Sequence, residues 1–263
     1  MEVEICAIAS GSNGNCYYIG NGKDAVLVDA GISRRKVLMR MKERNLDINK
    51  VRAVFISHEH ADHCRGVRVL SNKLNVPVYM TQKSYESCRT VNRPNSYTSF
   101  VPGEAISVGG ILIHTFLKNH DAVEPCSFRI EYKGVNVGVL TDIGSVCNNI
   151  ISHISLCQAL FLESNYDEDM LWDGPYPYHL KRRVTDGNGH LSNSEAFELL
   201  RQHHHFKLQI VFLSHLSAEN NRPEIAKGTF KELEKHFRVK LTNRYAPSDV
   251  VSLGVDKKAS VLV

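Results

Sequence analysis

The sequence HEHADH at residues 58–63 constrains this chain more than any other feature. With Ser57 between them, it follows the run VRAVFI at residues 51–56, which is typical of a buried strand. His58 and His60 are two residues apart and can point to one side. Asp62 and His63 can turn towards a second ion nearby. No ordinary turn needs this set of side chains, so the segment predicts a site for two metal ions.

The length and composition predict one globular domain. The 263 residues are 43% hydrophobic and 23% charged. No linker rich in proline, glycine or serine divides them. We therefore expect a single domain over residues 1–263, with a flexible tail at residues 256–263.

Membrane and export signals are not evident in the sequence. No apolar run approaches the roughly 20 residues of a membrane span, and the start MEVEI lacks the basic and apolar regions of a signal peptide. The seven cysteines are odd in number and form no C-x-x-C pair, which favours reduced thiols over disulfides. We expect a cytoplasmic protein that binds no membrane.

Short strand patterns alternate with helical patterns along the chain. Strands are predicted at residues 3–9, 16–19, 25–29, 51–57, 76–81, 128–132, 135–141, 159–163 and 209–214. Helices are predicted to begin near Ser33, at residue 65, after a capping box of Ser192 and Glu195, and at Pro223. The last helix would carry Ile225, Phe230, Leu233 and Phe237. This order of elements predicts an α/β fold of two sheets packed face to face, with helices outside.

Two ions need more ligands than residues 58–63 supply, and three later residues could provide them. His120, Asp142 and His215 each lie just past an apolar run. A carboxylate can bridge two cations, whereas a neutral imidazole cannot, which makes Asp142 the natural central ligand. The imidazoles favour zinc, and the carboxylates leave manganese open. The predicted cofactors are therefore two divalent metal ions, zinc or manganese.

Motifs across nearly the whole chain resemble those of a known family. Residues 58–63 match the H-x-H-x-D-H signature of the metallo-β-lactamase fold. The later candidate ligands match its remaining ligand motifs in order. More narrowly, six segments resemble the YycJ (WalJ) family, which is related to tRNase Z-like phosphodiesterases. They are SGSNGNC at 10–16, VDAG at 28–31, TDIG at 141–144, ESN at 163–165, GHLSN at 189–193 and SHLS at 214–217.

The resemblance implies a fold, a division of ligands and an activity. The fold is an αββα sandwich of two packed mixed β-sheets with helices on the outer faces. The ligands would be His58, His60 and His120 on one ion, Asp62, His63 and His215 on the other, and Asp142 between them. No β-CASP insertion is expected, because the interval from Asp142 to His215 is too short to hold one. Members of the family are regarded as nucleases, so the resemblance implies a 5′-to-3′ exonuclease acting on double-stranded DNA.

The two-metal site predicts hydrolysis of a phosphodiester. Two cations about 3.5–4 Å apart can lower the pKa of a shared water towards neutrality, and the resulting bridging hydroxide attacks phosphorus in line. Asp62 is the candidate to orient that hydroxide, and His190 is the candidate acid for the departing alkoxide. Resemblance to tRNase Z-like enzymes pairs His190 with Glu163. Alternatively, His190 only packs or hydrogen-bonds at the start of a helix.

Four further polar residues could support the ligands or contact the substrate. Asp29 could hydrogen-bond around the first motif, although turn chemistry would also explain it. Ser192, which lies close to His190 in the sequence, could likewise support the site by hydrogen bonding. Asn13 and Asn15 could present donors to a phosphate, and a tight hairpin explains them as well.

A basic cluster could bind the nucleic-acid backbone. It consists of Lys181, Arg182 and Arg183, and ordinary solvated charge is the alternative explanation. The formal charge of +4 and the pI of about 8.6 permit a polyanionic substrate without requiring one. The partner we expect is nucleic acid, specifically double-stranded DNA.

Two other classes of function stay open at this point. The first is a small-molecule hydrolase of the same fold that cleaves thioesters, lactones or cyclic phosphodiesters. The second is a regulatory or assembly module that uses the metals structurally. His190 and the basic cluster favour the nuclease. The leaving group of a thioester needs little protonation, and a thioester substrate needs no row of basic residues to bind it. The sequence leaves the oligomeric state and the choice between DNA and RNA open.

Overall fold

The computed structural model describes residues 2–254, so the predicted tail at residues 256–263 lies outside the described residues. The strands in this range are β1 (Glu2–Ala9), β2 (Cys16–Gly20), β3 (Ala25–Val28), β4 (Val51–Phe55), β5 (Val78–Met80), β6 (Thr98–Ser99), β7 (Ala105–Val108), β8 (Ile111–Leu117), β9 (Cys126–Tyr132), β10 (Val135–Leu140), β11 (Ala159–Glu163), β12 (Ile210–Ser214), β13 (Arg238–Leu241) and β14 (Val251–Gly254). The α-helices are α1 (Arg34–Glu43), α2 (Ala61–Cys64), α3 (Val67–Leu74), α4 (Gln82–Ser87), α5 (Asn148–Ile154), α6 (Glu168–Asp173), α7 (Tyr178–Thr185), α8 (Asn193–His203) and α9 (Pro223–Thr229).

These strands form two mixed sheets of seven strands each. The first has the order β14-β1-β2-β3-β4-β5-β6, and the second has the order β13-β12-β11-β10-β9-β8-β7. In each sheet an antiparallel part adjoins a parallel part, which comprises β3 to β6 in the first sheet and β10 to β13 in the second. Parallel strands need crossover connections, and most of the helices lie in those connections.

One apolar core lies between the two sheets. The rings of Tyr17 and Phe161 are 5.0 Å apart, and those of Phe55 and Phe128 are 5.8 Å apart. In each pair, one ring comes from the first sheet and the other from the second, and all four side chains are fully buried. Helices α1 and α3 pack on the outer face of the first sheet, and α5, α8 and α9 pack on that of the second. This arrangement confirms the predicted αββα sandwich.

The carboxyl ends of several strands meet at one edge of the sandwich. Strands β3 and β4 run parallel in the first sheet, as do β10, β11 and β12 in the second. Strand β8 runs in the same direction as β10, because both are antiparallel to β9. A hydrogen bond from the His215 N–H to the Ser10 hydroxyl (2.8 Å) joins the two sheets at this edge. The loops that follow these strands therefore face one another.

The helix predicted to begin at residue 65 begins two residues later in the structure. Helix α3 begins at Val67, and Asp62 and His63 lie in the separate short helix α2 rather than in an open loop. Gly66 separates the two helices and packs against the Ile32 backbone, where an added Cβ would lie 2.0 Å from the carbonyl oxygen. The close approach of this backbone turns the chain directly after the metal motif.

The prediction of one final helix reaching Phe237 was wrong. Helix α9 ends at Thr229, and a 3₁₀ turn at Lys231–Lys235 follows it. Glycine and threonine near this end are weak helix formers, and the Thr229 hydroxyl donates to the Ile225 carbonyl (3.1 Å). The sequence also gave no sign of β13 and β14, which have only four residues each.

Within residues 2–254, none of the helices combines the length and the apolar character needed to cross a membrane.

Candidate metal centre

The loops at this edge bring the seven candidate ligands together in two adjacent groups. The first group contains His58, His60 and His120, and the second contains Asp62, His63, Asp142 and His215. Within each group the donor atoms all lie within 4.8 Å of one another. The His120 Nε2 atom lies 3.9 Å from Asp142 Oδ1, which connects the first group to the second. The geometry therefore supports the division of ligands that the resemblance implies.

Three of the residues at strand ends adopt a left-handed backbone conformation. Asp29, Asp142 and His215 have φ values of +63°, +56° and +57°. This region is uncommon for residues other than glycine and costs of order 1 kcal/mol or more. It reverses the chain directly after β3, β10 and β12. Such local strain is typical of functional sites, where the surrounding fold holds a side chain in place.

The buried donor atoms fit a pair of metal ions. His58 Nε2, His120 Nε2, His215 Nε2 and Asp142 Oδ2 are buried and have no hydrogen-bond partner among residues 2–254. Most buried polar atoms are hydrogen-bonded, because an unsatisfied one costs about 1–3 kcal/mol. Four such atoms in one place are explained by cations that they would ligate. Imidazole nitrogens and carboxylate oxygens are common ligands of divalent metal ions in proteins.

Carboxylates around His63 give the second group a strong preference for positive charge. Burial opposes a charge on His63, but Asp142, Asp29 and Asp62 together hold its pKa well above the usual value. By contrast, burial and the neighbouring His63 hold the pKa of His58 well below its usual value. The same negative field that favours a proton on His63 would stabilise a bound cation.

Asp29 contacts the candidate ligand His63 and the backbone before the first motif. Its Oδ2 atom lies 2.7 Å from His63 Nδ1, and its Oδ1 atom accepts the Ser57 N–H (2.8 Å). The carboxylate is fully buried. Carboxylates in this position fix the orientation of a metal-ligating imidazole and raise its basicity.

Asn15 does not fit the predicted phosphate contact. It is fully buried, and its side-chain amide lies 3.1 Å from His63 Nε2 and 3.5 Å from Asp62 Oδ2. Its backbone N–H donates to the Asp62 carbonyl (2.7 Å). Asn15 therefore holds candidate ligands in place and offers no exposed donor to a substrate.

Glu163 connects a candidate ligand with the candidate acid. It ends strand β11, is fully buried, and has its Oε1 atom 2.9 Å from the Nδ1 atoms of both His190 and His215. Its Oε2 atom accepts the Ile143 N–H (2.6 Å). Burial opposes its charge, but His190 and His215 lower the pKa of Glu163 to about 2. An ionised Glu163 therefore orients both imidazoles.

His190 lies beside the donor groups with part of its ring open to solvent. Its ring centroid is 5.2 Å from that of His215 and 5.4 Å from that of His120. The side chain is 23% exposed. Because Nδ1 faces Glu163, Nε2 is the ring nitrogen left for a substrate. Ser192, two residues after His190, is fully buried and caps α8 through a capping box with Glu195.

The basic cluster lies on α7, near the same edge. Arg183 contacts the carboxylate of Asp121 through Nε (2.7 Å), Lys181 donates to the Trp172 carbonyl, and Arg182 is exposed. Since Asp121 follows the candidate ligand His120, Arg183 lies at the rim of the donor groups. Arg182 and Lys181 lie on the helix beside it.

Two arginines that the sequence did not single out hold the loop of Asn13. Arg244 donates to the Asn13 side-chain oxygen (3.1 Å), and Arg65 donates to the Asn13 carbonyl (2.8 Å). Asn13 itself is exposed, as a phosphate contact requires. Arg244 is 231 positions away from Asn13 in the chain, so no local pattern could have indicated this contact.

Comparisons with known proteins agree with this geometry. Residues 9–154 match the family model of the metallo-beta-lactamase superfamily. The chain is 32% identical over 244 residues to a Bacillus anthracis protein named exodeoxyribonuclease YycJ, a match covering 91% of this chain and 92% of that protein. It is also 32% identical over 256 residues to exodeoxyribonuclease WalJ of Streptococcus pneumoniae serotype 2, covering 95% of this chain and 91% of that protein.

A solved structure shows the same fold at lower sequence identity. The metallo-beta-lactamase fold protein YhfI from Bacillus subtilis has a TM-score of 0.73 and 18% identity, and the match covers 96% of this chain and 100% of that chain.

Proposed function

The chain belongs to the metallo-beta-lactamase superfamily of hydrolases, and we propose that it is a two-metal nuclease that cleaves DNA phosphodiesters. We further propose that it degrades double-stranded DNA from the 5′ end as a single domain. Relatives that are 32% identical over most of the chain carry the name exodeoxyribonuclease, which supports this choice of substrate.

One observation carries the choice of a phosphodiester: the contact between Glu163 and His190 beside the clustered donors. The alkoxide that leaves a DNA phosphodiester is strongly basic and needs a proton as its bond to phosphorus breaks. A thioester leaves as a weakly basic thiolate and does not need that acid. An imidazole held by a buried carboxylate, with its other nitrogen accessible, suits the phosphodiester.

The proposed roles of the residues follow from their positions. When bound, two divalent cations would neutralise phosphate oxygens and make water a stronger nucleophile. The Asp62 side chain is 23% exposed and contacts His63 and His215, so it could orient the attacking water at the edge of the donor groups. His190 Nε2 would deliver a proton to the leaving oxygen. Glu163 holds His190 in the orientation this requires.

Exposed and half-buried arginines around the donor groups support a polyanionic substrate. Arg183 and Arg182 lie on α7, and Arg244 and Arg65 hold the exposed loop of Asn13. Cations placed along a groove attract a nucleic-acid backbone and make its binding depend on salt. A purely structural use of the metals would not require His190 to keep an accessible ring nitrogen.

The test is a substrate panel on one preparation. Metal-free protein is reconstituted with zinc or manganese and given end-labelled single- and double-stranded DNA, RNA and a thioester. We expect double-stranded DNA to be shortened from its 5′ end with at least one of the metals. Thioester cleavage without phosphodiester cleavage under either metal would overturn the proposal.

A further inference from the structure

We propose that a pocket beside His190 holds the terminal nucleotide of the DNA strand, which is the leaving group of each cleavage. This inference rests on the proposed nuclease function and deepens it. The pocket has a volume of about 150 Å³, so it would enclose part of a nucleotide and leave the rest open to solvent. Its lining includes His190 itself, so the pocket adjoins the candidate acid.

The lining combines apolar and polar chemistry as a nucleotide requires. Tyr176 and Leu180 contribute an aromatic ring and an aliphatic side chain near the start of α7. Aromatic and aliphatic groups of this kind pack against bases and sugars. Ser217 and Asn220 contribute a hydroxyl and an amide. Asn220 is only 2% exposed, and its side-chain oxygen has no hydrogen-bond partner within the described part of the chain, so a ligand could satisfy it.

Arg183 provides positive charge at the same pocket. Its Nε and Nη2 atoms contact Asp121 Oδ2 at 2.7 and 2.5 Å, and its side chain is 61% exposed. A guanidinium has five N–H donors, so this contact leaves others for a terminal 5′-phosphate. Asp121 also lines the pocket and offsets part of this charge, so the remaining N–H donors of Arg183 and the Ser217 hydroxyl are the groups that would receive a 5′-phosphate.

Because the pocket adjoins the candidate acid His190, it would hold the nucleotide on the leaving-group side of the scissile bond. In the proposed step, a water oxygen bonds to phosphorus and the bond from phosphorus to the 3′ oxygen of the terminal nucleotide breaks. The water, oriented by Asp62, loses one proton to solvent, and the 3′ oxygen gains one from His190. The products are a nucleoside 5′-monophosphate and a strand shortened by one nucleotide that keeps a 5′-phosphate. A pocket for one nucleotide thus makes cleavage start at an end.

The experiment fills the pocket with Leu180→Trp and compares two substrates of the metal-loaded protein. The substrates are a linear 5′-phosphorylated duplex and bis(p-nitrophenyl) phosphate, which is too small to need the pocket. We expect kcat/KM on the duplex to fall at least about tenfold more than on the small diester. Leu156→Trp is the matched control, because Leu156 is exposed and precedes β11 at the opposite end of the sheet. It should leave both values unchanged.

Calorimetry with thymidine 5′-monophosphate gives a readout that does not depend on catalysis. The wild-type protein should bind this nucleotide, and Leu180→Trp should weaken binding at least about tenfold. If Leu180→Trp does not fold, as judged by thermal unfolding, Tyr176→Ala takes its place with the same expectations.

The outcomes separate the pocket from the nuclease function. Equal falls on both substrates, or cleavage of closed circular duplex as fast as linear duplex, would overturn the pocket. Failure of the wild-type protein to cleave any duplex would overturn the nuclease function instead. In that case the calorimetric titration with thymidine 5′-monophosphate would still show whether the pocket binds a nucleotide.

Discussion

His190 Nδ1 lies 2.9 Å from Glu163 Oε1, and the same oxygen lies 2.9 Å from His215 Nδ1. One buried carboxylate therefore orients the candidate acid and a candidate metal ligand together. Because both imidazoles use Nδ1 for this contact, both keep Nε2 for the cleft. A change at Glu163 should consequently affect proton donation and metal binding at once.

Removing the charge of Glu163 should slow DNA cleavage. Glu163→Gln keeps the size of the side chain but removes the ionised partner of His190 and His215. We expect kcat on duplex DNA to fall about 10- to 100-fold, with weaker metal binding. Glu198→Gln, at an exposed position on α8, is the control. Wild-type kcat and metal content in Glu163→Gln would show that the contact has no functional role.

Removing the imidazole of His190 should slow the cleavage of substrates whose leaving group needs a proton. We expect His190→Ala to keep its metal content and to lose about 10²- to 10⁴-fold in kcat on DNA. The loss on bis(p-nitrophenyl) phosphate should be much smaller, because nitrophenolate leaves without a proton. His236→Ala, at an exposed position directly after the 3₁₀ turn, is the control. Equal losses on the two substrates would contradict the role of His190 as an acid.

The basic residues on α7 should contribute to the salt dependence of DNA binding. In a plot of log affinity against log salt concentration, each lost phosphate contact should reduce the slope by about 0.9. We expect Arg182→Ser and Arg183→Ser to reduce it, and the exposed Lys231→Ser to leave it unchanged. An unaltered slope in the α7 variants would place the DNA elsewhere.

His153 should make the fold less stable in acid. Burial, with Arg129 and His114 nearby, lowers the pKa of His153 to about 4. Below about pH 6.5 the unfolded chain therefore gains a proton that the folded protein excludes, so the free energy of unfolding falls as the pH drops from about 6.5 to 4. His153→Phe keeps an aromatic ring on Phe116 and should reduce this fall. Urea unfolding at about pH 7 and pH 5 measures the difference, and an equal fall in both proteins would refute the assignment.

The sequence predicted the donor set because each donor follows a strand. Apolar runs end one serine or threonine before His58, Asp142 and His215, and parallel strands bring such ends to one edge. The left-handed backbone at Asp142 and His215 could not be predicted, since nothing in their local sequence requires it.

Contacts between residues far apart in the chain could not be predicted from the sequence. Asn15 lies in a glycine-rich turn that suggested a phosphate loop, and only the fold shows it buried against His63. The same holds for Arg244, which reaches the Asn13 loop from the far end of the chain. Helix α9 ends where weak helix formers stand at residues 228 and 229. The apolar residues at helical spacing beyond them predict a longer helix, and the sequence alone does not show which effect is stronger.

A metal titration followed by DNA cleavage tests the central claim most directly. Metal-free protein receives increasing equivalents of zinc or manganese, and cleavage of a 5′-phosphorylated duplex is measured at each point. A two-metal nuclease predicts activity that rises steeply and saturates at about two equivalents per chain, with Asp142→Asn failing to reach that stoichiometry. Saturation at one equivalent, or no duplex cleavage at any metal loading, would contradict the account.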